Sequence, residues 1–198
     1  FARIIKANDR RVHASPMRIK DGRFKMDLGA LAASLTGDEK IMFLCSPHNP
    51  GGRVWSAEEL RNVALFCETH DIILVSDEVH HDLIMPGHSH TILAKVAPEI
   101  SRRLITLVAT SKTFNIAGIE TGSMLIPDPA LRQRVARVRH AMNISNNRFG
   151  MLMAEAAYRG GDEWLDKLIP YLDANRKLLN EAIDGIQGLS VMNLEATY

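Results

Sequence analysis

At 198 residues and 46% hydrophobic content the chain is long enough to bury a substantial core in one or two domains, which excludes a disordered or low-complexity polypeptide. Lys and Arg number 24 against 23 Asp and Glu, a formal net charge of +1, so nothing in the charge balance argues for nucleic acid or an anionic membrane surface. No apolar run approaches the length of a membrane span, and the opening residues, broken by Arg3, Lys6 and Arg10, do not read as a signal peptide, so the cytoplasm is the expected compartment.

Phe1 to Asn8 alternates imperfectly and reads as a strand, and His13 to Arg23 carries turn signals around Pro16 and Gly22. Met26-Asp27 opens a short helix, with Leu28, Leu31, Ala32 and Leu35 at helical spacing. Ile41 to Cys45 is an apolar strand. Ser56 followed by Glu59 is a capping-box pattern, and it starts a helix to about His70 whose inner stripe is Leu60, Val63, Ala64 and Cys67. Ile72 to Val75 is a β-branched and aliphatic run of the kind buried on both faces of a parallel sheet. A short helical segment near Ile92 to Ala97 and strands at Leu104 to Val108 and Gly122 to Ile126 follow. Helices are then expected from Ala130, over Phe149 to Tyr158, and from Asp162 to about Ile186, the last kinked or divided near Pro170. Gly188 to Leu194 reads as a further strand. The domain reading is a large domain over 1–160, a linking helix over 161–186 and the start of a second domain over 187–198. Cys45 and Cys67 fall in a strand and a helix, which suits buried free thiols better than a disulfide or a metal pair.

Three of the apolar strands run directly into polar loops. Ile41 to Cys45 leads to Ser46-Pro47-His48-Asn49-Pro50-Gly51-Gly52, Ile72 to Val75 to Ser76-Asp77-Glu78-Val79-His80, and Leu104 to Val108 to Thr110-Ser111-Lys112-Thr113-Phe114-Asn115-Ile116-Ala117-Gly118. In an open parallel sheet, ligands bind beyond the carboxyl ends of the strands, so Asn49, Asp77 and Lys112 could meet on one ligand. A lysine held among apolar groups loses hydration of its ammonium form, and the neutral amine can condense with a carbonyl to give a Schiff base. The competing readings are a solvated lysine, an aspartate capping a turn and an Asn-Pro turn former. His80, His81, His88 and His90 are clustered, but their spacing matches no compact zinc pattern, so no metal site is assigned.

Taken in order, S-P-H-N-P-G-G, S-D-E-V-H and S-K-T-F-N-I-A-G resemble the motifs of fold-type I pyridoxal 5'-phosphate (PLP) enzymes, the class I and II aminotransferase superfamily. Within it the chain is most similar to the carbon–sulfur lyase branch typified by cystathionine β-lyase. The resemblance runs nearly the whole length. It implies a PLP-transferase-like α/β fold with a mixed, mainly parallel sheet, here incomplete, and the start of a small α+β domain. It also implies a chain about half the length of family members, without activity by itself, and a homodimer as the full-length protein.

Carried onto these residues, the resemblance implies that Lys112 binds PLP and moves the Cα proton, and that Asp77 holds the ring nitrogen protonated. Asn49 and His80 would address the phenolic oxygen, and Ser111 is a candidate for the phosphate. His80 stands where aminotransferases usually have tyrosine and the lyase branch commonly has histidine. Glu120 stands where aminotransferases have a phosphate-binding arginine, and Ala109 where many have serine, so those contacts do not carry over. The implied activity is β-elimination from cystathionine or cysteine-type amino acids, giving thiol, pyruvate and ammonia. Aminotransfer, and a non-catalytic regulatory protein on the same fold, are the alternatives.

Overall fold

A computed structural model describes residues 1–198. A short helix, α1 (Ala2–Ala7), precedes a hairpin of β1 (Arg18–Lys20) and β2 (Arg23–Lys25), then α2 (Leu28–Ser34). The body follows: β3 (Ile41–Cys45), α3 (Ala57–Thr69), β4 (Ile73–Asp77), α4 (Leu93–Val96), a 3₁₀ turn over Pro98–Arg103, and β5 (Leu104–Val108). After a second 3₁₀ turn, Ala117–Ile119, come β6 (Ser123–Leu125) and the helices α5 (Pro129–Ala141), α6 (Arg148–Gly160) and α7 (Asp162–Ile183).

The sheet has four strands in the order β3-β4-β5-β6. The first three are parallel and β6 is antiparallel to β5. Register fixes what matters for function. Cys45 pairs with Asp77 and Asp77 with Leu107, so β3, β4 and β5 end level with one another. The ladder extends one step further through Ser46 N–H to the Asp77 carbonyl and Glu78 N–H to the Leu107 carbonyl, both 2.9 Å. The three polar loops therefore leave the sheet along one edge.

One face of that edge is held by a single core. Leu60, Val63, Ala64 and Cys67 of α3 pack with Leu44, Leu74 and Leu104 of the sheet and with Leu93, Ala97 and Ile100 from the crossover. Each fully buried leucine is worth about 1.5–3 kcal/mol relative to exposure. The capping box at the start of α3 is complete: the Ser56 hydroxyl accepts from Glu59 N–H, and the Glu59 carboxylate accepts from Ser56 N–H. Both cysteines are free. Cys67 is buried, which pushes its thiol up to about 12, whereas Cys45 is only half-buried at its strand end.

Four expectations are corrected. Phe1 to Asn8 is helix α1: Ala2, Arg3, Lys6 and Ala7 are good helix formers, no strand lies alongside to pair with them, and the Asn8 side-chain amide donates to the Ile4 carbonyl at 2.9 Å. The region read as turns contains the hairpin β1–β2, tightened by Asp21 and Gly22 at positive φ. Gly188 to Leu194 forms no strand, because little beyond Asn193 N–H to the Gly22 carbonyl holds it to any partner. Helix α7 is continuous through Pro170 and ends at Ile183, ahead of Gly185 at φ 89°.

The last residues contact the loops that leave the sheet. Glu195 and Ala196 N–H donate to the Gly52 carbonyl, Met85 N–H to the Glu195 carbonyl and Thr197 N–H to the Leu83 carbonyl. A Cβ at Gly52, whose φ is +59°, would collide with the Leu194 side chain, so glycine is required for this close approach. The fully buried Glu195 carboxylate is ion-paired with Arg53 at 3.0 Å and with Arg23, and accepts from Val54 N–H at 2.8 Å.

Candidate active site

The loop after β3 is pinned at both ends. The Trp55 indole N–H donates to the Cys45 carbonyl at 2.8 Å, and His48 N–H donates to the Arg53 carbonyl, also at 2.8 Å. This leaves Asn49 exposed at the loop tip, its Nδ2 3.2 Å from His80 Nε2. His80 itself is buried at 3% exposure, its Nδ1 has no partner, and its ring lies 5.6 Å from that of Tyr198. Burial lowers the imidazole below its ordinary 6.5, and the charge of Lys112 pushes the same way.

Asp77 is half-buried at the end of β4. Burial raises its carboxyl above the ordinary 3.8, against the pull of the Val79 N–H on its Oδ1 at 3.3 Å and of the Lys112 ammonium. An ionised carboxylate there lacks a full complement of donors, so a cationic N–H beside it would be stabilised. Lys112 sits half-buried in the turn after β5, within electrostatic range of both Asp77 and His80. Lys112, Asp77, His80 and Asn49 are thus brought together. Ser111 is half-buried beside Lys112 and makes no side-chain bond to the other four, while the neighbouring Thr110 hydroxyl is buried without a partner. Glu120 is exposed, in a left-handed conformation at φ 48°.

The comparisons with known proteins bear on this arrangement. The sequence model of the family described as Aminotransferase class I and II matches residues 1–198. The chain belongs to that family. It is 38% identical over 189 residues to the cystathionine beta-lyase PatB of Bacillus subtilis (strain 168), covering 92% of this chain and 47% of PatB. A crystal structure of OvoB superposes with a TM-score of 0.94 at 37% identity, covering 98% of this chain and 52% of that one. Cystalysin from Treponema denticola, whose crystal structure contains a PLP cofactor, superposes at 0.92 with 33% identity, covering 98% and 50%. The chain has the PLP-transferase-like fold with a mostly parallel sheet, and spans about half the length of the curated relatives it matches.

Within this family member, several residues that shape the site carried no signal in the sequence. The Thr113 hydroxyl donates to Asp82 Oδ2 at 2.9 Å, and the Trp164 indole from α7 donates to the Thr113 carbonyl at 3.0 Å. Glu78 is buried at 2% exposure. Its carboxylate accepts from the Ser76 hydroxyl at 2.9 Å and lies 2.8 Å from His90 Nε2, and its carbonyl holds His81 Nδ1 at 2.7 Å. Two of the clustered histidines thus brace the Asp77 loop from behind. Ser76, Glu78, His80 and Thr113 lie within the motifs and His81 and His90 within the histidine cluster, whereas Asp82 falls outside both, and Trp164 and Tyr198 lie too far along the chain for spacing to connect them.

Proposed function

We propose that the full-length protein is a PLP-dependent carbon–sulfur β-lyase acting on cystathionine or cysteine-type amino acids, releasing thiol, pyruvate and ammonia, and working as a cytoplasmic homodimer. The observation that carries this reading is the convergence of Lys112, Asp77 and the Asn49–His80 pair at the level ends of three parallel strands. The donor set fits the cofactor. It offers an amine for an aldehyde, an under-solvated acid for a pyridinium N–H, an amide N–H for a phenolic oxygen, and the unpartnered Thr110 hydroxyl for a further acceptor. Similarity to PatB and to cystalysin supports the same class of chemistry.

PLP, when bound, supplies an aldehyde that condenses with amines and a protonated ring that draws electron density from the substrate Cα. Lys112 would hold that aldehyde through its amine and, when that amine is free, would take the substrate Cα proton on Nζ, the β-sulfur departing as thiolate. Asp77, a carboxyl short of donors, would accept from the protonated ring nitrogen. Asn49 would offer its Nδ2 to the phenolic oxygen, and buried His80, its basicity lowered by its surroundings, would orient that amide. Ser111, beside Lys112, is assigned to the phosphate.

In the full-length enzyme, Lys112→Ala is expected to lower pyruvate release from cystathionine by roughly 10²–10⁴-fold, the usual worth of a positioned proton-transfer group. Turnover within tenfold of wild type would overturn the assignment. Pyruvate release without added keto acid separates elimination from aminotransfer, and mass mapping after borohydride reduction should find the cofactor on residue 112.

A further inference from the structure

Lys112 needs more than a place on a turn, since an amine on a flexible four-carbon stem must return to one spot in every cycle. The residue after it is the most firmly held in the turn. Thr113 is fully buried, and it is gripped on two sides: its hydroxyl by Asp82 Oδ2 at 2.9 Å, its carbonyl by the Trp164 indole at 3.0 Å. Asp82 is not a free-swinging partner. Its Oδ1 lies 3.3 Å from His81 Nε2, and His81 Nδ1 is in turn held by the Glu78 carbonyl at 2.7 Å. Glu78 is fixed to β5 through its N–H and to Ser76 and His90 through its carboxylate. A continuous chain of polar contacts therefore joins the turn bearing Lys112 to the loop bearing Asp77 and His80.

We propose that Asp82 and Thr113 are positioning residues, a carboxylate–hydroxyl strut that sets the Lys112 amine against Asp77 and His80. The inference rests on the reading of Lys112 as the cofactor-binding lysine. Without the strut the two loops would still leave the same sheet edge, since their backbones are fixed by strand register, but the lysine would lose its lateral reference. A buried hydroxyl kept only for packing would behave differently: its removal would lower stability and leave the geometry of the bound cofactor unchanged.

The test uses the full-length holoenzyme carrying Thr113→Val, Thr113→Ser and Asp82→Ala. Thr113→Val preserves shape and removes the donor; it is expected to lower kcat about 10- to 100-fold with KM within about threefold, the scale of a misplacement near 1 Å. It should also alter the visible circular dichroism of the bound cofactor and raise the PLP dissociation constant measured by equilibrium dialysis. Thr113→Ser should restore all three. Asp82→Ala, which removes the acceptor, should reproduce the valine variant, and the double variant should be no worse than either single change, since both break one contact. If Thr113→Val does not fold, Asp82→Ala and Thr113→Ser carry the comparison. Wild-type kcat and dichroism in folded Thr113→Val, or in folded Asp82→Ala, would overturn the strut alone. A wild-type enzyme with no borohydride-trapped cofactor on residue 112 would overturn the lysine reading and the strut with it.

Discussion

Helix α3 and helices α5 to α7 are built on the same kind of pattern and end in different circumstances. α3 places Leu60, Val63, Ala64, Phe66 and Cys67 in the core, whereas α6 buries only Gly150 and α7 only Asp173. Phe149 is 77% exposed, and Leu152, Tyr171, Leu178 and Leu179 are exposed as well. With Val135 and Val138 of α5 and Met142 at its C-cap, the sheet residues Ile41, Ile73 and Ile105 line an open cavity of about 730 Å³. Apolar periodicity tells that a helix will bury a face; it does not tell against what. The packed side fixes the ends of β3 to β5 and with them the candidate site, and the other side presents exposed apolar side chains.

The largest test of this contrast lies in the buried ion cluster that joins the C-terminal residues to the packed side. Glu195→Ala takes the acceptor from Arg53 Nη1, Arg23 and Val54 N–H at once, leaving Glu59, at 2.8 Å, as the one carboxylate on Arg53, and is expected to cost about 3–5 kcal/mol, read from urea denaturation. A cost below about 1 kcal/mol would mean that the cluster is wetter than its geometry. Next, Leu74→Ala, at a fully buried position in the central strand β4, should cost about 2–5 kcal/mol. Leu178→Ala, at a position 66% exposed, should change the stability of these 198 residues by less than about 0.5 kcal/mol. A larger cost for Leu178→Ala in the full-length protein than in these residues alone would identify α7 as a covered face.

The same contrast explains what was legible in the sequence. Strands β3, β4 and β5 and helix α3 were readable because each carries a strong local signal, an aliphatic run or a capping box, that agrees with its tertiary surroundings. The loops that bring Asn49, Asp77, His80 and Lys112 to one edge were readable from where the apolar runs stop. The opening strand was misread because Phe1 to Asn8 is too short for periodicity to outweigh helix propensity. The pairing of Asp82 with Thr113 and the burial of Glu195 were invisible, because their partners lie 31 and 142 residues away and a lone Asp or Glu has no pattern.

A smaller effect separates capped from uncapped helix starts. α3 has a full capping box, while α7 begins at Gly161 with no side-chain cap. Ser56→Ala is expected to cost about 0.5–2 kcal/mol, and Gly161→Ala no comparable cap energy, its cost coming instead from a Cβ that would collide with the Phe114 ring and the Ala157 carbonyl. Equal losses traced to fraying at both helix starts by amide exchange would contradict the assigned caps.

The pH dependence of stability is the finest of these tests, because three groups on the packed side pull in different directions. His80 has a folded value below its ordinary 6.5, so as pH falls through 6.5 the unfolded chain takes a proton that the folded chain declines, and stability is lost. Glu195 is opposed by its own burial, but the Val54 N–H and Arg53 hold it below its ordinary 4.5, so its contribution is complete above 4.5 and disappears as pH drops through the folded value. Asp77 runs the other way: raised above 3.8, it burdens the fold when ionised, and the burden lifts as it is protonated. Stability should therefore decline in two stages on acidification, the first beginning near pH 6.5 and the second below pH 4.5, with Asp77 softening the second. His80→Asn should shrink the first stage, with buried His48 keeping the remainder, and leave the second; Glu195→Gln should shrink the second, with Glu39, Asp71 and Asp173 keeping the remainder, and leave the first. A single acid transition unchanged by His80→Asn would show that the imidazole is not shielded as its burial against Asn49 and Tyr198 requires.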